Sequence, residues 1–361
     1  MKYTIDKNNR PVYLQIYRLL RDDIRSGAFP YQGKLPSRRL LAEEMGVSAI
    51  TVEHAYALLC EEGYAAAKER SSYFVSFRPS DGFAAADPVQ APAPVPVAAA
   101  PGFSAAVLSR TMRRVLSERQ DALFERSPGT GCFALRDAIR RYLARNRGIQ
   151  VSTDQIVVGA GAEYLYGLIV ALLGRDLCYA IEAPAYQKLE QIYRTLGVAV
   201  EQLPLSRDGI DSAALVKTNA DVLHTTPYRS YPSGVTASAS KRHEYLRWAD
   251  RTGRYLIESD YGSETSVSAQ PMETLFALSH GDNVIYLNTF SRTISASLRV
   301  GYMVLPKSLV PVFAEKLGFY SCSVPTFEQY VLAQLIDGGD FERHINRLRR
   351  QKRKELAAQK Q

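Results

Sequence analysis

The residue types able to do chemistry gather in the middle of the chain, at the ends of short apolar runs. Gln155-Ile-Val-Val158 leads into Gly159-Ala160-Gly161-Ala162-Glu163. A strand that ends in a glycine turn and opens a helix leaves free N–H groups at the positive end of the helix dipole, which suits a phosphate. Ser127-Pro128-Gly129-Thr130-Gly131 stands before it. After it come Glu182-Ala-Pro184-Ala-Tyr186, then Thr226-Pro227 with Pro232-Ser233-Gly234, then Glu258-Ser259-Asp260-Tyr261. The last run is Thr289-Phe290-Ser291-Arg292-Thr293, followed by Leu298-Arg299-Val300-Gly301-Tyr302. Backbone N–H groups, hydroxyls and arginines are what hold a phosphate.

Such residues need a frame. From about residue 105 onward, helical patterns alternate with strand-like runs at 155–158, 177–181, 220–224, 255–257, 284–287 and 301–305. That alternation predicts an α/β body with a mostly parallel sheet. Before it, residues 82–101 form an Ala/Pro tract that no regular helix tolerates, because each proline removes a donor and clashes with the preceding turn. The tract reads as an extended linker, able to span up to roughly 60 Å at about 3.1 Å per residue.

The 361 residues, 46% hydrophobic and 23% charged, are ordinary for a folded protein of two or more domains and exclude a disordered chain. Apolar stretches such as Leu168 to Leu173 are far short of the roughly 20 residues that cross a bilayer. The first residues have no apolar signal core. Cys60, Cys132, Cys178 and Cys322 stand singly, which argues against disulfides or a zinc site and fits a reducing cytoplasm. The net charge of +8 is concentrated at the two ends. Residues 1–80 carry 12 basic and 9 acidic side chains, and residues 341–361 carry 8 and 2. The run Arg347 to Lys354 reads as a solvated helix face.

Residues 1–78 form a compact unit by themselves. Val12, Ile16, Leu19, Leu20 and Ile24 repeat at helical spacing, with Pro11 at the start and Gly27 beyond the end. Ser37 caps a second helix, Arg38 to Met45, and Ser48 caps a third, Ala49 to about Glu62. Tyr64–Lys68 and Tyr73–Phe77 can pair as a wing. Such a module places its third helix in the major groove of double-stranded DNA. The run Leu35-Pro36-Ser37-Arg38-Arg39-Leu40-Leu41-Ala42-Glu43-Glu44-Met45-Gly46-Val47-Ser48, with Thr51-Val52 beyond, resembles the N-terminal domain of GntR-type regulators. The resemblance implies DNA contacts from Arg39, Ser48, Thr51 and His54, and from Lys68 and Arg70 on the wing. Ala49 stands where many members have arginine, and Ser71-Ser72 replaces a glycine-containing wing tip, so base preference does not carry over. One small winged helix binds weakly, and dimerisation through the other domain is expected.

The central motifs, in this order and spacing, resemble fold-type I pyridoxal-phosphate aminotransferases. With the winged helix in front, the whole chain is similar to MocR-type regulators, which join a GntR reader to an aminotransferase-like sensor. The resemblance implies a division into 1–78 (winged helix–turn–helix), 79–104 (linker) and 105–361 (aminotransferase-like domain). It also implies pyridoxal phosphate as the cofactor, a homodimer, and an effector that is a B6 vitamer or an amino acid. On it, Tyr186 is the ring that stacks on the cofactor. Gly161, Ala162, Thr289, Ser291 and Arg299 form the phosphate cup, and Tyr261 faces the phenolate oxygen.

Two positions depart from the pattern. Arg292 stands where the family has the lysine that forms a Schiff base, and Ser259 where it has the aspartate paired with the pyridine nitrogen. A guanidinium stays protonated and is no carbonyl nucleophile, so covalent capture of the cofactor is expected to be lost. Arg292 can instead bind a phosphate or carboxylate. The C-terminal subdomain usual in fold-type I proteins is expected to be missing, since the sequence stops at Gln361. The expected function is a DNA-binding transcriptional regulator whose aminotransferase-like domain dimerises and senses an effector. The alternative is an active pyridoxal-phosphate aminotransferase with an attached DNA-binding domain.

Overall fold

A computed structural model describes residues 5–6, 11–68, 72–78, 102–251, 253–260, 262–267, 273–279, 282–295 and 297–358. The expected wing contact Arg70, the ring partner Tyr261 and residues 79–101 of the linker lie outside the described residues. The chain divides into two compact units, Met1–Val95 and Pro96–Gln361.

The first unit is three helices and a hairpin: α1 (Val12–Arg25), α2 (Arg38–Met45), α3 (Ala49–Glu61), β1 (Ala65–Lys68) and β2 (Ser72–Val75). Ser37 Oγ accepts the Leu40 N–H at 3.2 Å to start α2, and Ser48 Oγ accepts that of Thr51 at 3.1 Å to start α3. Gly46 makes the turn between them at φ 62°, a left-handed conformation that a side chain would resist. Ile16, Leu20, Leu41, Val52, Ala55, Tyr56 and Leu59 are buried together as the core. Each large aliphatic side chain removed from water there contributes about 1.5–3 kcal/mol. Val12 and Leu19, which share the helical spacing of α1, are only half-buried. The strands pair antiparallel with Ala65 opposite Val75.

The second unit is built on an eight-stranded sheet. Its elements are α4 (Ala105–Arg119), α5 (Phe133–Arg147), β3 (Ile156–Gly159), α6 (Ala162–Leu173), β4 (Cys178–Ala183), α7 (Gln187–Thr195), β5 (Ala199–Ser206), β6 (Gly209–Ile210), α8 (Ser212–Lys217), β7 (Val222–Thr225), α9 (Ala239–Ala249), β8 (Tyr255–Ser259), α10 (Leu275–Leu278), β9 (Val284–Thr289), β10 (Gly301–Val304), α11 (Leu309–Leu317), α12 (Thr326–Asp337) and α13 (Asp340–Ala358). The strand order is β3-β10-β9-β8-β7-β4-β5-β6. From β9 to β5 neighbours run parallel, while β10 is antiparallel to β3 and β9, and β6 to β5.

Alternation along the strands divides the core between two faces. Val158, Tyr286, Tyr302 and Val304 pack with Leu135, Ile139, Leu332 and Phe341 of α5, α12 and α13. Their neighbours Val157, Ile285 and Met303 pack on the other face with Leu165, Ile169, Leu189 and Phe313 of α6, α7 and α11. All six apolar runs are strands. The sequence reading missed β5 and β6. β5 carries Glu201, Gln202 and Pro204 and is mostly half-buried or exposed, so it lacks the continuous apolar run of the inner strands.

The basic run near the C-terminus lies on α13. Arg347, Arg350, Arg353 and Lys354 are exposed, Leu348 is buried, and Arg349 and Lys352 lean on the Glu264 and Thr265 carbonyls. Among the described residues, no helix is long and apolar enough to cross a membrane.

Candidate ligand cleft and DNA-reading face

Parallel strands aim their carboxyl ends at one edge of the sheet, where α/β folds place their ligands. Here those ends supply Thr226 after β7, Ser259 and Asp260 from β8, and Thr289, Ser291 and Arg292 from β9. The start of α6 adds Ala162, and Tyr186 stands at the start of α7. Together with Arg299 these residues line one cleft of about 360 Å³. That volume is within the range of small-molecule sites.

The helix end of the cleft has the character of an anion cup. Gly161 has φ 84° and ψ 176°, backbone that only glycine adopts readily. A Cβ there would stand 3.4 Å from Arg299 Nη2, so the guanidinium lies against the glycine turn. Arg299 is 3.1 Å from Glu163 Oε2. Thr289 Oγ1 is 3.2 Å from Ser291 Oγ and donates to the Val300 carbonyl, while Ser291 Oγ donates to that of Leu298. These bonds fix both hydroxyls beside the first turn of α6. Tyr186 is 41% exposed, with its ring edge-on to that of Tyr231 at 6.1 Å.

Buried Glu182 holds the wall between β4 and β7. It accepts from the hydroxyls of Thr225 and Ser230 and from the Thr226 N–H at 3.0 Å. Burial raises its pKa, and these donors oppose the rise.

The deep end is organised by His224, which spacing alone did not single out. Its Nε2 lies 2.7 Å from Ser259 Oγ and its Nδ1 2.6 Å from Tyr193 Oη. Burial pushes its pKa down to about 3, so the imidazole is neutral. Both carboxylates adjacent in sequence to Ser259 are held elsewhere. Glu258 accepts from the Leu275 and Phe276 N–H groups at 2.9 Å. Asp260 Oδ2 is 2.6 Å from Arg147 Nη2 and accepts from Tyr286 Oη at 2.6 Å. The sequence signal for His224 was its place at the carboxyl end of an inner strand. Arg147, at the last position of α5, gave no signal.

Arg292 is an exposed residue on the cleft wall, and its guanidinium reaches to within 4 Å of where a Gly262 side chain would begin. No lysine is among the described residues lining the cleft. Lys188, the nearest lysine to Tyr186 in sequence, is not among the lining residues: it is 61% exposed and pairs at 3.7 Å with Glu163, which is. The lining therefore fits pyridoxal phosphate at the phosphate and the ring. It does not fit it at the aldehyde, for want of a lysine, or at a charged ring nitrogen, because position 259 is serine and the lining carboxylates Glu163, Glu182 and Asp260 are paired elsewhere.

In the first unit, Arg39 is exposed on α2, and His54 is exposed on α3, edge-on to Tyr13 at 6.0 Å. Ser48 and Thr51 sit together at the start of α3 with their hydroxyls 2.8 Å apart. Arg38 pairs with Glu53 at 2.5 Å, tying α2 to α3. Lys68 ends β1 with its ammonium 5.5 Å from the Phe74 ring centre.

The two units thus define a class: a winged helix–turn–helix reader joined to an aminotransferase-type α/β body. Residues 12–75 match the gntR family of bacterial regulatory proteins, and residues 102–359 match aminotransferase class I and II. The chain belongs to the MocR-type subfamily of GntR regulators, which combines these two domains. It is 30% identical to the pyridoxine biosynthesis transcriptional regulator PdxR of Corynebacterium glutamicum, over 93% of this chain and 74% of that one. It is 27% identical to the probable rhizopine catabolism regulatory protein MocR of Rhizobium meliloti, over 94% and 74%. The regulator YdeL of Bacillus subtilis is 29% identical, over 96% and 78%. Among solved structures, a kynurenine aminotransferase of Pyrococcus horikoshii has a TM-score of 0.63 at 25% identity, over 69% of this chain and 64% of that one. The chain spans 61% of the length of an archaeal alanine:glyoxylate aminotransferase of known structure and 64% of the kynurenine aminotransferase.

Proposed function

We propose that this protein is a cytoplasmic DNA-binding transcriptional regulator whose aminotransferase-like domain dimerises and binds a vitamin B6 phosphate without a covalent bond. The observation that carries this reading is Arg292 on the cleft wall, beside an anion cup, with no lysine among the described lining residues. Bound pyridoxal phosphate offers an aldehyde that condenses with amines, and an arginine cannot serve as that amine. What this chain's own residues supply is binding. The first turn of α6 and Arg299 hold the phosphate, Thr289 and Ser291 turn their hydroxyl protons from the Val300 and Leu298 carbonyls to it, Tyr186 covers the ring, and Arg292 holds a second anionic group such as the carboxylate of an amino-acid effector.

For the reader, exposed α3 enters the major groove. Arg39, Ser48, Thr51 and His54 face DNA there, and Lys68 and Arg70 contact the phosphates from the wing. The homodimer is supported by exposed aromatics on the second unit. Phe124 is 90% exposed and Phe319 75%. Their segments are joined by hydrogen bonds from Arg126 to Ser321 and from Thr326 to the Glu125 carbonyl. Apolar surface of this kind is what a second copy covers.

The test is incubation of the full chain with pyridoxal phosphate and borohydride, read by mass spectrometry, beside calorimetry with pyridoxine 5′-phosphate. Expected are no adduct on a cleft residue of the native chain at stoichiometric cofactor, an adduct at position 292 of Arg292→Lys, and saturable binding of the phosphate. A stoichiometric adduct mapped to a cleft residue of the native chain overturns the reading and restores the enzyme. Operator DNA that is not retained at low salt overturns the regulator.

A further inference from the structure

Three side chains at the deep end of the cleft form a hydrogen-bonded row. Tyr193 Oη meets His224 Nδ1 at 2.6 Å, and His224 Nε2 meets Ser259 Oγ at 2.7 Å. All three residues are buried, with 0%, 2% and 6% of their surfaces exposed. Among the described residues, His224 is the one hydrogen-bond partner of both Tyr193 Oη and Ser259 Oγ. Burial keeps the phenol protonated, so its single proton goes to Nδ1. A neutral imidazole carries one N–H, which must then be on Nε2 and is donated to Ser259 Oγ. The proton of Ser259 is left for the cleft, whose wall the residue forms. The described carboxylates that line the cleft already have partners: Asp260 has Arg147 and Tyr286, Glu182 has Thr225, Thr226 and Ser230, and Glu163 has Arg299.

We propose that Ser259 donates a hydrogen bond to an uncharged ring nitrogen, so that the cleft selects the neutral pyridine form of a B6 phosphate over the pyridinium form. Tyr193 and His224 are positioning residues that set the direction of the serine proton. This rests on the reading that the cleft holds a B6 phosphate. A pyridinium would fail twice. Its N–H would compete with an oxygen already accepting from His224, leaving the serine proton unused, and its charge would be buried without a partner.

The experiment uses the full chain and pyridoxamine 5′-phosphate labelled with ¹⁵N in the ring. Nitrogen resonance of the bound ligand between pH 6 and 8 is expected in the range of a hydrogen-bonded free pyridine. A resonance in the pyridinium range overturns the proposal. Calorimetry adds a second measure. The N-methylpyridinium analogue should bind at least about tenfold more weakly than the parent, which is about 1.4 kcal/mol. Ser259→Ala should weaken the parent and leave the analogue unchanged, whereas Ser259→Asp should favour the analogue. Equal affinities on the native chain overturn the selection while leaving the B6 reading intact. Binding of neither compound overturns both.

Discussion

Arg147 Nη2 lies 2.6 Å from Asp260 Oδ2, and the two side chains are 6% and 3% exposed. This pair joins the end of α5 to the carboxyl end of β8 beneath the cleft. It also explains why Asp260 does not replace the missing carboxylate at Ser259. Burial opposes the charge on Arg147, yet Asp260 and the neighbouring acids hold its pKa above the usual value.

Removing one partner of a buried pair strands the other charge. Arg147→Met is therefore expected to destabilise the second unit by about 3–5 kcal/mol. Urea unfolding followed by the fluorescence of Trp248, the single tryptophan and a buried residue of α9, would measure this. The double variant Arg147→Met/Asp260→Asn should recover part of the loss. A change below about 1 kcal/mol would show that the pair is not needed to hold the strand end.

A pH dependence follows from the acids around the same pair. Burial first, and then the charge of Asp260, push Glu258 and Glu264 up to about 7. Their folded pKa values exceed the unfolded ones, so the folded state binds more protons between about 4.5 and 7. The stability they contribute is complete below that window and is lost as pH rises through it. His224 works the other way: its depressed pKa costs stability as pH falls below about 6.5. Melting temperatures of the native chain and of Glu264→Gln from pH 5 to 8 separate the effects. The variant should lose less on going from pH 5 to 8. Parallel curves would mean that Glu264 is ionised throughout.

The sheet was legible because its inner strands are continuous apolar runs, and only such runs survive burial on both faces. The glycine turn at Gly161 and the strand ends at Ser259 and Thr289 were legible for a related reason: ligand-facing positions interrupt those runs. Nothing local marked Arg147. It is one arginine among several on a basic helix, and its partner is 113 positions away. His224 is similar. One imidazole at a strand end marks a position facing the cleft but not its partners, until the fold brings Tyr193 and Ser259 within 2.7 Å of its ring nitrogens. Contacts made by tertiary structure alone leave no periodic trace.

The reading face makes its own forecast. Lys68 and Arg39 are exposed cations with no acidic partner within ion-pair distance among the described residues. If each neutralises one DNA phosphate, Lys68→Ala and Arg39→Ala should each lower the slope of log affinity against log salt by about 0.9. Fluorescence anisotropy across salt concentrations reads this directly. Ser48→Ala should behave differently. Its hydroxyl caps α3, so the substitution should also cost about 1 kcal/mol of first-unit stability. An unchanged slope for both cation variants would place the DNA elsewhere.

Gly161→Ala tests the cup at the position where the backbone itself is the constraint. Its φ of 84° and ψ of 176° lie in a region where a side chain costs about 1–3 kcal/mol. The new Cβ would also start 3.4 Å from Arg299 Nη2, pressing on the guanidinium that faces the phosphate. Both effects act at the mouth of α6, so affinity for pyridoxine 5′-phosphate should fall at least about tenfold. Arg299→Gln should produce a loss of similar size through charge alone, and the two together should lose less than the sum, because they act on one anion. Salt-dependent DNA binding should be unchanged in both at low ligand concentration. A Gly161→Ala protein that binds the phosphate as tightly as the native chain would mean that the anion is held somewhere other than the start of this helix.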